Sequence, residues 1–140
     1  MSDNYATYQV SLKVLFKRGK SVLLICDQNG VWDFPGGRID LTETRSSFSA
    51  VIDREIKEEL GEDITYTLGA PVLCFSRHLV DQAEPVLIVV YSAEYLGGSI
   101  QLSLEHDSWE WIDPSLYSFR EEDFFSKEEY DAIVPYLQSS

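Results

Sequence analysis

One acid-rich segment constrains the fold and the chemistry of this chain more than any other. It reads REIKEEL at residues 54–60 and is followed by Gly61. The spacing of its apolar residues predicts a helix over residues 47–60, and a glycine is the expected residue just past a helix end. The apolar stripe recurs every four positions: Phe48, Ile52, Ile56 and Leu60, with Val51 nearby.

Three glutamates of this predicted helix share the side that carries the apolar stripe. With Glu55 placed at 0°, Glu59 lies at ~40° and Glu58 at ~300°, so the three span about 100°. Lys57 lies at ~200°, on the opposite side. Glu55 and Glu59 have no cation four residues away, and their repulsion costs a helix roughly 0.2–0.5 kcal/mol. Acids beside a buried stripe favour a divalent cation as counter-charge; a merely solvated acidic face is the alternative.

The overall charge points the same way. The chain has 24 acidic and 11 basic side chains, a net charge of -13. This balance excludes non-specific binding to a nucleic-acid polymer, which needs dense Lys and Arg. It would also repel a phosphorylated substrate unless a divalent cation offsets the carboxylates. Solubility alone is the competing explanation of an acidic surface.

The length of 140 residues predicts a single domain over residues 1–140. The longest apolar run, Val86 to Tyr91, is far shorter than the ~20 residues of a membrane span. The N-terminus has neither a basic nor an apolar signal region. We therefore expect a cytoplasmic protein without a membrane partner.

The remaining pattern mixes strands and helices without regular βαβ alternation. It predicts an α/β (α+β) fold in which helices cover both faces of a mixed sheet. Pro35, Gly36 and Gly37 are expected to end a strand and open a loop, where paired glycines allow close backbone approach to a ligand. A second helix is predicted over residues 126–138, opened by a capping box of Ser126 and Glu129. Predicted strands cover residues 8–16, 22–26, 31–34, 64–68, 71–77, 86–96, 99–102 and 109–112.

These motifs resemble those of the Nudix hydrolase family, whose signature is G-x5-E-x7-R-E-U-x-E-E-x-G-U, with U a bulky aliphatic residue. Gly37 and Glu43 match its first part, and REIKEELG at residues 54–61 matches its second part through the glycine. WDFPGG at residues 32–37 is similar to the family's lead-in, and the stretch from Glu105 to Ile112 to its downstream acid and tryptophan. The resemblance implies a Nudix-type α/β/α sandwich.

The chain departs from the signature at two places. Ten residues separate Glu43 from Arg54 where the family has seven, which leaves open whether these two side chains meet. The register of residues 54–61 is unaffected, so the metal-binding face is expected to survive. Glu62 occupies the last aliphatic position, which predicts a more exposed helix exit.

The resemblance implies a set of metal ligands and catalytic residues. Glu55, Glu58 and Glu59 correspond to Mg²⁺ ligands, joined by the Gly36 carbonyl, with Mn²⁺ as a substitute. Glu105 is the candidate for a further ligand or the general base. Glu59 or Glu105 would take the proton of an attacking water, and Glu58 is counted with them as catalytic.

Other residues are assigned supporting roles. Arg54 is expected to orient a carboxylate through a bidentate pair, and Glu43 to fix the loop. His106 is expected to be an exposed loop histidine, with a role as base as the alternative. The structural motif includes Gly37, Glu43, Arg54 and Gly61. Candidate substrate contacts are Arg38 and Arg77 for phosphate and Trp32, Phe75 or Trp109 for stacking on a base.

The resulting hypothesis is Mg²⁺-dependent hydrolysis of a diphosphate linkage in a nucleoside diphosphate joined to another group. A non-catalytic Nudix-like nucleotide-binding or regulatory module and a structural Ca²⁺ site are the alternatives. Sugar nucleotides, oxidised purine nucleotides, dinucleoside polyphosphates and non-nucleotide diphosphates all remain open as substrates. The resemblance also suggests a homodimer.

Overall fold

A computed structural model describes residues 4–139 of the chain. Its helices are α1 (Phe48–Leu60) and α2 (Lys127–Ser139), with short 3-10 turns at Leu41–Glu43 and Glu121–Asp123. Its strands are β1 (Gln9–Arg18), β2 (Ser21–Cys26), β3 (Trp32–Asp33), β4 (Gly36–Arg38), β5 (Thr65–Arg77), β6 (Val86–Gly97) and β7 (Ser108–Ile112).

The seven strands form one mixed sheet built around β1. One edge of β1 pairs in parallel with β6. Its other edge is shared: the first half pairs antiparallel with β4, and Lys17 and Arg18 pair with β2. β2 continues the sheet through β3 and β7, and β5 lies outside β6. β2 and β4 thus pair with different parts of the same edge of β1, and the short strand β4 places Gly36 and Gly37 beside the first half of β1.

Side chains of β1 alternate between the two faces of the sheet, as in any strand. Leu12, Val14 and Phe16 pack in one core cluster with the buried residues of α1. Leu15 points the other way, into a cluster that includes Ile133 of α2. The two helices therefore cover opposite faces, and the predicted mixed sheet flanked by helices is confirmed.

Three predicted elements differ from the structure. The segment with Gly36 and Gly37 is a strand paired to β1 and not a loop, because Gly36 lies opposite Lys13 and Gly37 opposite Leu12. The two strands predicted over 64–77 are one strand with register shifts. Residues 99–102 form no strand; their backbone turns instead towards the end of α1.

Both helices also differ in detail from their predictions. Phe48 was expected in the apolar stripe of α1 but is 52% exposed, since it occupies the first turn at the helix edge. In α2 the Ser126 hydroxyl accepts a bond from the Glu129 backbone, but the Glu129 side chain binds Arg77 and does not complete a capping box. No helix within residues 4–139 is long and apolar enough to cross a membrane.

Candidate active site

A cavity of about 500 Å³ lies where α1 meets β4 and the start of β1. It brings together eight of the residues singled out in the sequence. Trp32, Glu43, Arg54 and Gly61 do not line it. The eight are Gly36, Gly37, Arg38, Glu55, Glu58, Glu59, Arg77 and Glu105.

The two adjacent glycines of β4 are required for two different reasons. Gly36 has φ 137°, and a β-carbon there would overlap the Leu12 carbonyl of β1. A β-carbon on Gly37 would overlap the carboxylate of Glu55. Gly36 thus lets β4 pair closely with β1, and Gly37 lets an α1 carboxylate reach the backbone of β4.

Arg54 meets Glu43 despite the longer spacing between them. Its guanidinium donates two bonds to the Glu43 carboxylate, one of them 2.6 Å long from Nη2 to Oε1. The 3-10 turn at Leu41–Glu43 is closed by a capping box between Asp40 and Glu43, and the chain then turns into the N-cap Ser47. The predicted bidentate pair of Arg54 therefore forms across the ten residues that separate it from Glu43.

The three glutamates of α1 are buried to very different degrees. Glu59 is buried, and the Glu55 side chain is 13% exposed. The Glu58 side chain is 63% exposed and pairs with Arg54 at 3.0 Å. The predicted overlap with the buried face therefore holds for Glu55 and Glu59, whereas Glu58 lies at the cavity rim.

The environment of Glu59 opposes its ionisation. Burial raises the pKa of Glu59 to about 7; Lys13 acts against this shift, and Asp33, Glu105 and Glu55 reinforce it. Burial also raises the pKa of Glu55, where Arg54 is the opposing charge. A buried carboxylate whose pKa is raised by desolvation is one whose charged form an incoming cation would stabilise.

Two charged residues of the site escaped the sequence analysis. Lys13 is buried at the cavity, and its ammonium donates to Asp33 and to the Phe34 carbonyl, both at 3.2 Å. Burial acts to raise the pKa of Asp33, but Lys13 and Arg77 outweigh it and lower that pKa. The available signal was a lysine inside an apolar strand, on the same face as Leu15.

His106 does not lie in solvent as predicted. Its side chain is 13% exposed and its Nδ1 lies 3.7 Å from Glu59 Oε1. Burial lowers the pKa of His106, although the nearby Asp33 acts in the opposite direction. The sequence does not predict the burial of His106, because the segment between β6 and β7 has no periodic pattern.

The candidate substrate contacts fall in different environments. Arg38 is exposed at the cavity and donates to the amide oxygens of Gln9 and Gln82, and no carboxylate of residues 4–139 forms an ion pair with it. Arg77 also lines the cavity but is bound to Asp33 and Glu129. The aromatic candidates do not line this cavity. Trp32 packs against the hydrophobic core, Phe75 is part of that core, and Trp109 on β7 is 43% exposed.

The donor set fits a divalent cation. Glu59, Glu105 and His106 offer ligand atoms that all lie within 4.8 Å of one another. Within residues 4–139, the buried Nδ1 of His106 and Oγ of Ser103 have no hydrogen-bond partner, and Ser103 lines the same cavity. Buried polar atoms are normally satisfied, so two such atoms beside clustered carboxylates indicate a site built for a further ligand.

Known structures share this fold. A Nitrosomonas europaea NUDIX hydrolase has a TM-score of 0.72 and 14% identity, covering 97% of this chain and 73% of its own. A UDP-X diphosphatase has a TM-score of 0.68 and 18% identity, covering 98% and 66%, so this chain spans about two thirds of that protein. A Streptococcus suis ADP-ribose pyrophosphatase has a TM-score of 0.61 and 18% identity, covering 95% and 92%.

The family model gives the assignment that these distant structures cannot. No curated protein matches the sequence, but the model described as the NUDIX domain matches residues 7–132. That match covers most of the chain and includes both parts of the motif and the segment with Glu105. The chain therefore belongs to the NUDIX domain family, the family of the Nudix hydrolases.

Proposed function

We propose that the protein hydrolyses a diphosphate linkage in a nucleoside diphosphate joined to a second group, using Mg²⁺ or Mn²⁺. The observation that carries this proposal is the convergence of acids and one unneutralised arginine in a single cavity. The acids are Glu55, Glu59 and Glu105, and the arginine is Arg38. Pyrophosphate hydrolysis is also the activity for which two of the similar structures are named.

Each residue has a role that follows from its environment. Glu55, Glu58, Glu59 and Glu105, with the Gly36 carbonyl, would hold the metal. The bound cation would offset phosphate charge and lower the pKa of water. In its ionised form Glu59 accepts the proton of the attacking water, with Glu105 as the alternative base.

Contacts around these residues support the binding step. Arg38 has no carboxylate partner in the part of the chain that the structure describes and is therefore available to a phosphate oxygen. Lys13 lies at the buried end of the cavity and is bound to Asp33 at 3.2 Å. Arg54 and Glu43 hold the start of α1 against the preceding turn, so the α1 carboxylates keep their direction.

The test is turnover of a panel of nucleoside diphosphate derivatives with Mg²⁺, in water enriched in ¹⁸O. The label should appear in a phosphate product, which identifies the attacked phosphorus. Glu59→Gln should lose turnover, while Glu62→Gln, an exposed acid just past the same helix, should keep it. Equal rates for wild type and Glu59→Gln would contradict the role of Glu59.

The binding-module alternative gives a different result in the same assay. It predicts ligand-dependent thermal stabilisation with no phosphate release over hours. The longer spacing between Glu43 and Arg54 is what motivates that alternative, and the bond that Arg54 nevertheless makes to Glu43 supports the enzyme. A structural Ca²⁺ site predicts loss of stability on chelation and no response to phosphates. The homodimer and the cytoplasmic location stay predictions, open to sedimentation and to imaging.

A further inference from the structure

The segment that follows β6 is held against the C-terminal end of α1. The last carbonyls of a helix lack partners within the helix. Here the backbone of Gln101 donates to the Leu60 carbonyl at 2.8 Å, and that of Ser103 to the Glu59 carbonyl at 2.9 Å. Three residues after Ser103, the side chain of His106 is therefore delivered to the same turn of α1 that carries Glu59.

This segment is also fixed at its far end. The Asp107 backbone donates to the Cys26 carbonyl at 3.0 Å, where β7 begins to pair with β2. His106 thus lies between two anchored backbone points, and its side chain is 13% exposed.

One nitrogen of the His106 ring lacks a hydrogen-bond partner. Nδ1 of His106 is buried and has no hydrogen-bond partner among residues 4–139. The 3.7 Å to Glu59 Oε1 is too long for a hydrogen bond. Two ligands bound to one cation at about 2.0–2.2 Å each stand roughly 3–4 Å apart, depending on the angle. The separation matches a shared cation better than a direct contact.

We propose that Nδ1 of His106 is a nitrogen ligand of the cation held by Glu59 and Glu105. This inference rests on the proposed function, because it requires that the cavity bind a divalent cation. The consequence is a mixed nitrogen and oxygen donor set. Mg²⁺ takes oxygen ligands almost exclusively, whereas imidazole suits transition metals. His106 therefore shifts the preference of the site from Mg²⁺ towards Mn²⁺ and, more strongly, towards Co²⁺.

The chain is well suited to a direct test, since it has two histidines. His78, the other one, is exposed in the turn after β5 and serves as the matched control. The full chain is titrated with Mn²⁺ alone and followed by electron paramagnetic resonance. Electron spin echo modulation should show coupling to one imidazole nitrogen, and labelling the histidines with ¹⁵N should change that modulation. His78→Gln should leave it unchanged.

The variant His106→Ala measures the effect on selectivity. We expect Mn²⁺ affinity to fall at least about tenfold. Mg²⁺ affinity, measured by displacement of Mn²⁺, should change about threefold or less, because water replaces imidazole at little cost to Mg²⁺. His106→Asn, which keeps a polar side chain, should behave like His106→Ala. The spectrum of the wild-type chain does not depend on whether either variant folds.

The outcomes separate this inference from the proposed function. If Mn²⁺ binds to the wild-type chain without nitrogen coupling, His106 is not a ligand, and the carboxylate site is unaffected. The same conclusion follows if His106→Ala lowers the affinities for Mn²⁺ and Mg²⁺ equally. Failure of the wild-type chain to bind any Mn²⁺ overturns both. Nitrogen coupling that persists in His106→Ala also rejects the assignment.

Discussion

Each of the two α-helices carries one buried glutamate, and the two carboxylates have opposite surroundings. Glu129 of α2 is 1% exposed and accepts two 2.8 Å bonds from Arg77. Glu59 of α1 is 7% exposed, and within residues 4–139 no lysine or arginine forms an ion pair with it. A buried glutamate is thus paired with an arginine in α2, whereas the buried glutamate of α1 has no such basic partner among the described residues.

This difference separates structure from function within one fold. A buried carboxylate bound by a guanidinium has its charge offset and joins elements; here Arg77 links β5 to α2 and, through Asp33, to β3. An unmatched buried carboxylate is costly unless it is protonated or meets a cation. The chain tolerates that cost at Glu59 because the cavity is where the cation and the phosphate are proposed to bind.

The largest effect is expected from removing the unmatched charge. Glu59→Gln should lower kcat for the best substrate of the panel about 10²–10⁴-fold, since proton acceptance and a metal ligand are both lost. Steady-state kinetics at saturating Mg²⁺ measures it. Without metal, the same variant at pH 8 should be at least as stable as wild type. A marked loss of stability would mean that Glu59 is a structural residue like Glu129.

The opposite result is expected in α2. Glu129→Gln should lower the free energy of unfolding by about 3–5 kcal/mol, because the buried Arg77 loses half of its counter-charge. Urea denaturation measures this change. Glu128→Gln, at an exposed neighbouring position, should change stability by less than about 0.5 kcal/mol. Similar values for the two variants would remove the contrast between the helices.

The pH dependence of stability should distinguish the two kinds of buried acid. The pKa of Glu59 is raised to about 7 in the folded state, so its contribution is complete below about pH 4.5 and is lost as the pH rises through 7. At pH 8 this amounts to about 3 kcal/mol. Asp33, with its lowered pKa, behaves in the opposite way and loses its contribution only as the pH falls below about 3.8.

Denaturation without metal, between pH 4.5 and 8, measures the Glu59 contribution. The decrease should become much smaller in Glu59→Gln, leaving the part that the raised pKa of Glu55 contributes, and it should shrink on addition of Mg²⁺, which supplies the counter-charge. A wild-type chain whose stability rises over this range, with Glu59→Gln parallel to it, would show that Glu59 does not carry the raised pKa.

The smallest effect is expected at the exposed acid of α1. Glu58 is mostly in solvent and already paired with Arg54, so Glu58→Gln should weaken Mg²⁺ binding only about tenfold, or about 1.4 kcal/mol. Competition with Mn²⁺ measures it. If Glu58→Gln weakened Mg²⁺ binding as much as Glu59→Gln does in the same competition experiment, burial would not determine how much each α1 carboxylate contributes.

Local patterns determined α1 and its acids. Periodicity gives the helix within one residue of its start at Phe48, and the spacing of glutamates fixes their common side because both depend only on the geometry of one helix. The i,i+4 pairs of Asp53 with Lys57 and Arg54 with Glu58 follow from the same geometry. The motif was also enough to identify the family, which the match over residues 7–132 confirms.

The tertiary structure alone decided which charges meet. Arg77 and Glu129 are far apart in sequence, and no local pattern shows that they pair, so the sequence predicts Arg77 as a phosphate contact and gives no partner for it. Lys13, His106 and the strand at Gly36–Arg38 depend likewise on how β1, β4 and the segment after β6 are brought together. Helical spacing acts over four residues, whereas desolvation and ion pairing depend on distance in space, which only the folded chain defines.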